Sequence, residues 1–357
     1  MRLDLNAINA MVEQGLVNKQ THPTLPLSIY KYSQLCVFSR HWNETTLLCR
    51  GIVLDDLGNV VINSFPKFFN HSEGAGLEGY QTRKSAGMAY TITDKMDGSL
   101  IQVARYNGHL VISSSGSFTS PQAMKATELL RGKEEYIEEN WTYLFELIYP
   151  ENRIVLNYGD KVSLTLLAMR HTETGNEAGF GLWPDDIFEA VTPLALTLDE
   201  IEADLKRDAF INKEGYIVKF ADGHRVKMKY DEYMRLHKIV SGVNEKYVWE
   251  CLRDNVDIEA QLVNIPDELF QFVKDAKAKF NAEFEAVDKV VRLVFQTINK
   301  DASRKEQAQF VLANHKEYAK ILFQMLDGKD YSKLIWNMIE PEFKPGLMGM
   351  GQAAVDN

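Results

Sequence analysis

The feature that most constrains this chain is a change of period near residue 240. Before it, apolar residues come in short runs of strand length, separated by turn dipeptides. Gly51 to Leu54 and Val60 to Ile62 flank the turn residues Asp55 to Asn59, and Tyr90 to Asp94 is a further short run. Ser99 to Tyr106 and His109 to Ser113 flank Asn107-Gly108, while Tyr216 to Phe220 and His224 to Lys229 flank Asp222-Gly223. Asn-Gly and Asp-Gly supply the positive φ that tight hairpins need, so both pairs predict antiparallel hairpins. Tyr143 to Tyr149 and Ser163 to Met169 complete the strand-like set, with a helical piece at Pro121 to Arg131. Many antiparallel strands with helices between them define an α+β domain.

Past residue 240 the spacing turns helical. Leu269, Phe272, Val273, Phe280, Phe284, Val287, Val290, Val291 and Val294 recur through Glu268 to Asn299, with Glu and Lys between them and no proline. Ser303 to Leu326 and Tyr331 to Ile339 read as further helix, and the aromatic residues Phe270, Phe272, Phe280 and Phe284 read as helix core. The expected organisation is an α+β domain over residues 1–240 and an all-helical domain over 241–357, ending in a frayed Gly346 to Gly351 tail. A length of 357 residues suits two or three domains at roughly 150 residues each.

Composition excludes several classes. A net charge of −10 rules out a uniformly basic nucleic-acid coat, so any polyanion must be met by a local basic groove. Cys36, Cys49 and Cys251 are scattered, without a C-x-x-C pair, which disfavours a zinc knuckle or a disulfide framework. The histidines show no ligand spacing, and His71 and His224 read as surface groups. No apolar run reaches the roughly 18 residues of a membrane helix, and the opening residues lack a hydrophobic signal core. A soluble, cytoplasmic protein is expected, with no membrane and no obligate protein partner.

Chemistry concentrates in two places. Lys95-Met96-Asp97-Gly98 sits at a strand end, where a lysine before a tight turn can enter a pocket, although taken alone the pattern is more often a solvated surface lysine. Lysine is a nucleophile only when neutral, which burial or a neighbouring cation favours. Glu214-Gly215-Tyr216 leads into Val226-Lys227-Met228-Lys229, whose alternation puts both lysines on one face. Two lysines there repel unless something anionic lies between them, although an outward-facing edge strand gives the same pattern.

In order, Lys95-Met96-Asp97-Gly98, Phe145-Glu146-Leu147, Glu214-Gly215-Tyr216 and Val226-Lys227-Met228-Lys229 resemble the motif series of the covalent nucleotidyltransferases, which comprise polynucleotide ligases and RNA capping enzymes. Cys49 to Val53, Pro66 to Asn70 and Asn152 to Leu156 resemble segments of the phage-type RNA ligase 1 family. The resemblance spans roughly residues 30 to 240. It implies a nucleotidyltransferase domain and an ATP-dependent RNA ligase joining 5′-phosphate and 3′-hydroxyl RNA ends, in repair of cleaved RNA such as tRNA. By the resemblance, Lys95 is the nucleophile that becomes a lysyl-adenylate, while Lys227 and Lys229 contact phosphates and help lower the Lys95 pKa. Glu146 and Glu214 act through magnesium, for which manganese can substitute, or hold ribose and adenylate. Arg50 and Lys67 reach phosphate or adenylate, Phe69 stacks on adenine, Gly98 lets the backbone approach the nucleotide, and Tyr32 matches an upstream nucleotide-site tyrosine. One departure is Ser115, which stands where the phage prototype has a lysine before Gly-Ser.

Two rivals remain at this level. A capping enzyme or DNA ligase usually follows the paired-lysine strand with a β-barrel, against the helical period found here. A catalytically silent RNA-end-binding protein has no need of the intact Lys95, Glu146, Glu214, Lys227 and Lys229 set.

Overall fold

The computed structural model describes residues 1–206, 212–258 and 267–342, and the expected Gly346 to Gly351 tail lies outside them. The chain divides into two compact units, one over Met1–Arg235 and one from Leu236 onward. The first is built on three four-stranded sheets. Its strands are β1 (Val17–Thr21), β2 (Leu27–Tyr32), β3 (Arg50–Asp55), β4 (Val60–Ile62), β5 (Phe69–Asn70), β6 (Tyr90–Lys95), β7 (Ser99–Tyr106), β8 (His109–Ser114), β9 (Trp141–Ile148), β10 (Ser163–His171), β11 (Gly215–Phe220) and β12 (Arg225–Lys229). Helices α1 (Leu5–Glu13), α2 (Gln34–Phe38), α3 (Glu44–Leu48), α4 (Gly74–Ser85), α5 (Pro121–Leu129) and α6 (Leu198–Asp204) lie between them.

The sheets run β1-β2-β3-β4, β10-β9-β7-β8 and β5-β12-β11-β6. Among the described residues these strands pair with one another antiparallel throughout, except that β5 runs parallel to β12, which places Phe69 beside Val226 and Asn70 beside Lys227. The first two sheets pack face to face through Leu27, Ile29, Val53, Val61, Ile62, Ala104 and Val111. On its other face the first sheet is covered by α1, through Ile8 against Val17, Ile52, Leu54 and Val60. This two-sided cover explains why Gly51 to Leu54 is a continuous apolar run rather than an alternating one. Each such side chain, fully buried, contributes about 1.5–3 kcal/mol. Helix α4 lies against the third sheet, its Tyr80 ring meeting His71 and Phe220.

A partly buried charge cluster fixes the turn end of the β11–β12 hairpin. Lys219 and Arg225 are cross-strand partners there. Both reach Glu177: Arg225 as a fork at 3.0 and 2.9 Å, Lys219 at 2.7 Å. The Arg225 guanidinium also stacks on Phe65, 4.3 Å from the ring centroid.

The second unit is helical throughout its described residues. Helix α7 (Asp231–Gly242) leads into it, followed by α8 (Glu245–Arg253), α9 (Asp267–Thr297), α10 (Arg304–Asn314), α11 (Ala319–Leu326) and α12 (Ser332–Met338). Val291, Val311, Ile321, Leu322 and Ile335 centre its core, with Phe284, Val287 and Val294 packed against them. Val290 was expected in the α9 stripe but is 40% exposed, because it lies one residue off the row that carries Val287, Val291 and Val294. Ser303 to Leu326 is two helices, since α10 ends at His315. Among the described residues no helix is long and apolar enough to cross a membrane.

Candidate active site

Three strand ends build the centre of the site. Lys95 closes β6, Gly215 opens β11 and Lys229 closes β12, and Gly215 is in register with both lysines. Gly215 has φ 147°, and a Cβ there would lie 2.0 Å from the Met228 carbonyl oxygen, so glycine alone lets the strands come this close. Glu214, 2% exposed, projects between the two lysines: its Oε1 is 2.8 Å from Lys95 Nζ and 3.1 Å from Lys229 Nζ. The chain itself thus supplies an anion between Lys95 and Lys229. Neither lysine is a solvated surface group, since the side chains of Lys95 and Lys229 are 21% and 7% exposed. Lys227 is buried too, beside Asn70 of β5 and Ile217 of β11.

Glu146 of β9 approaches from the second sheet. Its Oε1 accepts a hydrogen bond from the Gly98 N–H at 2.8 Å. A Cβ on Gly98 would lie 2.4 Å from the Leu147 carbonyl oxygen and 3.1 Å from Glu146 Cγ. The close approach that Gly98 permits here is therefore to β9, and it seats the Lys95 loop on Glu146.

Asp97, to which the sequence reading gave no role, ties that loop down. Its Oδ2 accepts from the backbone of Val155 and Leu156 at 2.9 and 2.8 Å, and its Oδ1 accepts from Tyr233 Oη at 2.7 Å. The Asp97 N–H donates to Tyr158 Oη, and Asn152 Nδ2 donates to Ser99 Oγ at 2.9 Å. The segment from Asn152 to Leu156 thus clamps the Lys95 loop from outside. The adjacent lysine motif was the one signal for Asp97; nothing local marked Tyr158 or Tyr233.

Burial and charge set the protonation states. For Lys95, burial alone would lower the pKa, but Glu214, Glu146 and Asp97 outweigh it and hold the ammonium above its usual range. This corrects the expectation that the twin lysines depress it, because carboxylates dominate its surroundings. Lys229 goes the other way: burial lowers it, Glu214 opposes and Lys95 adds to the lowering. Glu214 resists burial and is held low by Lys95 and Lys229. Glu146 is pushed up to about 8 by burial, with Lys95 opposing and Glu214 reinforcing. Burial and Glu214 also raise Asp97.

A divalent cation fits this donor set. Glu214 Oε2 is buried without a hydrogen-bond partner among the described residues, and burial raises Glu146, a strain that a bound cation would relieve. No group of three or more acidic, His or Cys side chains is placed to hold a metal among those residues. A hard ion here would complete its shell with water and substrate oxygens.

The remaining candidates form an aromatic box at the edge of the third sheet. Lys67 Nζ lies 5.0, 5.3 and 5.7 Å from the ring centroids of Tyr32, Trp42 and Phe69, and donates to Tyr32 Oη at 3.2 Å. Phe69 belongs to β5, so the box adjoins the lysine strand β12. Arg50 stacks on Phe68, 5.0 Å from its centroid. At the departure noted in the sequence, Ser115 Oγ accepts from Lys31 Nζ at 3.0 Å, so a cation is brought to that position from β2. His71 and His224 are half-buried rather than surface groups, and burial lowers both.

A family model described as RNA ligase matches residues 48–234, just over half of the chain. Among curated relatives, a protein of Thermovibrio ammonificans provisionally named RNA ligase is 28% identical over 212 residues, 53% of this chain and 52% of its own length. A protein of Autographa californica nuclear polyhedrosis virus, provisionally named bifunctional polynucleotide kinase/RNA ligase, is 26% identical over 216 residues, 53% of this chain and 30% of its own. The match thus spans about half the length of one relative and a third of the other. Among solved structures, a chain titled provisionally as an ATP-dependent DNA ligase of Aquifex aeolicus gives a TM-score of 0.46 at 12% identity, covering 92% of this chain and 88% of that one. A Naegleria gruberi RNA ligase gives 0.36 at 18% identity, covering 44% and 54%. These structural overlaps are too loose to bear on the chemistry. The extent of the family match decides the matter, and the chain belongs to the RNA ligase family.

Proposed function

We propose that the protein is an ATP-dependent RNA ligase that joins a 5′-phosphate to a 3′-hydroxyl through a lysyl-adenylate on Lys95. The observation that carries this reading is the buried Glu214 oxygen shared by Lys95 and Lys229. In the first step the neutral Lys95 amine attacks the α-phosphorus of ATP. The N–P bond forms, the bond to the β-phosphate oxygen breaks, and pyrophosphate leaves as the amine loses its proton. A 5′-phosphate oxygen of RNA then takes the adenylyl group from Lys95, giving an end with AMP as leaving group. Attack by the 3′-hydroxyl on that 5′-phosphorus seals the strand and expels AMP.

Each step moves negative charge between phosphate oxygens, so fixed cations and exact placement supply most of the acceleration. Lys227 and Lys229 would contact the phosphates, Lys229 exchanging its Glu214 partner for the incoming anion. Arg50 and Lys67 would hold phosphate or adenylate, and Tyr32 and Phe69 would wall the adenine. Glu146 and Glu214 would hold magnesium or manganese, which when bound neutralises phosphate charge. The helical unit from about residue 241 would select the RNA. One matched relative is named for polynucleotide kinase as well as ligase, a pairing of end-processing with sealing that favours a role in repairing cleaved RNA, tRNA included.

Incubation with α-labelled ATP and magnesium, followed by denaturing electrophoresis, tests the reading. A labelled band should appear in the native protein and vanish in Lys95→Ala, which should still seal pre-adenylated RNA. Label from GTP alone would indicate capping chemistry, and no label from either nucleotide would leave a silent RNA-end-binding protein.

A further inference from the structure

An acidic protein that handles RNA must meet it with a segment poor in carboxylates, and the sequence holds one upstream of the family match. No Asp or Glu occurs between Glu13 and Glu44, a stretch carrying Lys19, Lys31, Arg40, His22 and His41. At its end, α2 and the loop to α3 present Phe38, Arg40 and His41 to solvent, with Phe38 80% exposed. A single exposed apolar side chain is ordinary. What sets this loop apart is the backbone beside it.

Helix α2 ends with the His41 N–H on the Cys36 carbonyl and the Arg40 N–H on the Val37 carbonyl, at 3.0 and 3.2 Å. This is a Schellman ending, which places Arg40 at the left-handed position, φ 51°, that glycine normally fills. Arginine is strained there, and its exposed side chain makes no hydrogen bond or ion pair among the described residues that would offset the strain. The loop is nevertheless held firmly: the His41 carbonyl accepts from Thr46 Oγ1 at 2.9 Å, and Asn43 and Thr46 cap α3 reciprocally. Next to it, Trp42 turns inward onto Tyr32 and Phe69, with ring centroids at 5.1 and 5.7 Å and planes near perpendicular. The exposed aromatic and its cation are therefore continuous with the box of the candidate site.

We infer that the Phe38 to Trp42 loop docks a single-stranded segment of the RNA substrate. A base stacks on Phe38, a phosphate meets Arg40, and Trp42 joins this platform to the nucleotide box. Exposed aromatics interleaved with cations on a rigid loop are what unpaired bases and their backbone require. The inference rests on the proposed RNA ligase activity for its ligand, but its test does not use that activity.

Fluorescence anisotropy of a labelled single-stranded RNA measures Kd for the full chain, Phe38→Ser and Arg40→Gly. Each substitution should raise Kd by about tenfold, the size of one stacking or phosphate contact. Arg40→Gly should also flatten the salt dependence by about one unit of slope and raise the thermal midpoint, since glycine relieves the left-handed strain. Gain of stability with loss of RNA affinity is a result that a purely structural role does not give. Self-labelling by ATP should stay at the native level in both variants. Failure of the native protein to bind RNA, or a native Kd in either variant, overturns the inference. Self-association abolished by Phe38→Ser at unchanged RNA affinity would assign the face to a second copy instead. RNA binding lost in the variants while the native protein takes no label from ATP would sink the ligase reading and leave this surface standing.

Discussion

Glu177 offers the sharpest test of how the lysine hairpin is held. Burial alone would raise its carboxyl pKa, but Arg225 and Lys219 pull it from the ordinary 4.5 down to about 2. At 1.36 kcal/mol per tenfold in proton affinity, that displacement stabilises the folded state by about 3 kcal/mol. The side chain is 12% exposed, so solvent screening removes little of it. Because the folded pKa is depressed, this contribution is complete above about pH 4.5 and fades as the pH falls toward about 2. Glu177→Gln should therefore cost about 3–5 kcal/mol at pH 7, the upper end reflecting the buried Arg225 left without a counter-charge. Hydrogen exchange of the amides in residues 215–229 reads this hairpin directly, whichever unit melts first. Exchange should accelerate by at least a hundredfold at pH 7, and the difference from the native protein should narrow between pH 5 and pH 3. A change below about 1 kcal/mol, or one that does not narrow on acidification, would refute the reasoning.

Two further outcomes follow from the site. Gly98→Ala forces a methyl group to within 2.4 Å of a backbone oxygen of β9, so the loop must shift; self-adenylation should fall more than tenfold, for a stability loss of about 1–3 kcal/mol in urea unfolding. Lys95 is held protonated by Glu214, Glu146 and Asp97, and only its neutral form attacks. Single-turnover self-adenylation should thus climb as the pH rises above neutrality, and Glu214→Gln, which removes the nearest negative charge, should move that climb to lower pH. A profile unmoved by Glu214→Gln would show that the carboxylate does not set the amine's charge.

The hairpins around Asn107-Gly108 and Asp222-Gly223 were legible because their turn chemistry is local. The strands they join end within a residue or two of the expected limits. Strand β5 was invisible because a two-residue strand has no period, and α4 because glycines at 74, 76 and 79 disguise a helix. Gly76 is nonetheless required, since a Cβ there would lie 2.1 Å from the Asn70 carbonyl oxygen. Lys95, Glu214 and Lys229 could be named from short motifs, whereas their pairing depends on a register that only folding sets. The same limit explains the Lys95 protonation error: two lysines could be read on one strand, but not the Glu214 carboxylate brought against Lys95 and Lys229. His71 and His224 were misplaced for want of α4, which covers them.

The knot around Asp97 has a temporal meaning as well as a spatial one. Its partners lie 58, 59 and 136 residues downstream, at Val155, Leu156 and Tyr233. Contacts so distant in sequence close late in folding. A nascent or partly unfolded chain therefore displays Lys95 as a plain amine on an unmoored loop. The placement of Lys95 beside Glu214 thus waits on residues as distant as Tyr233, and the knot times the assembly of the candidate site.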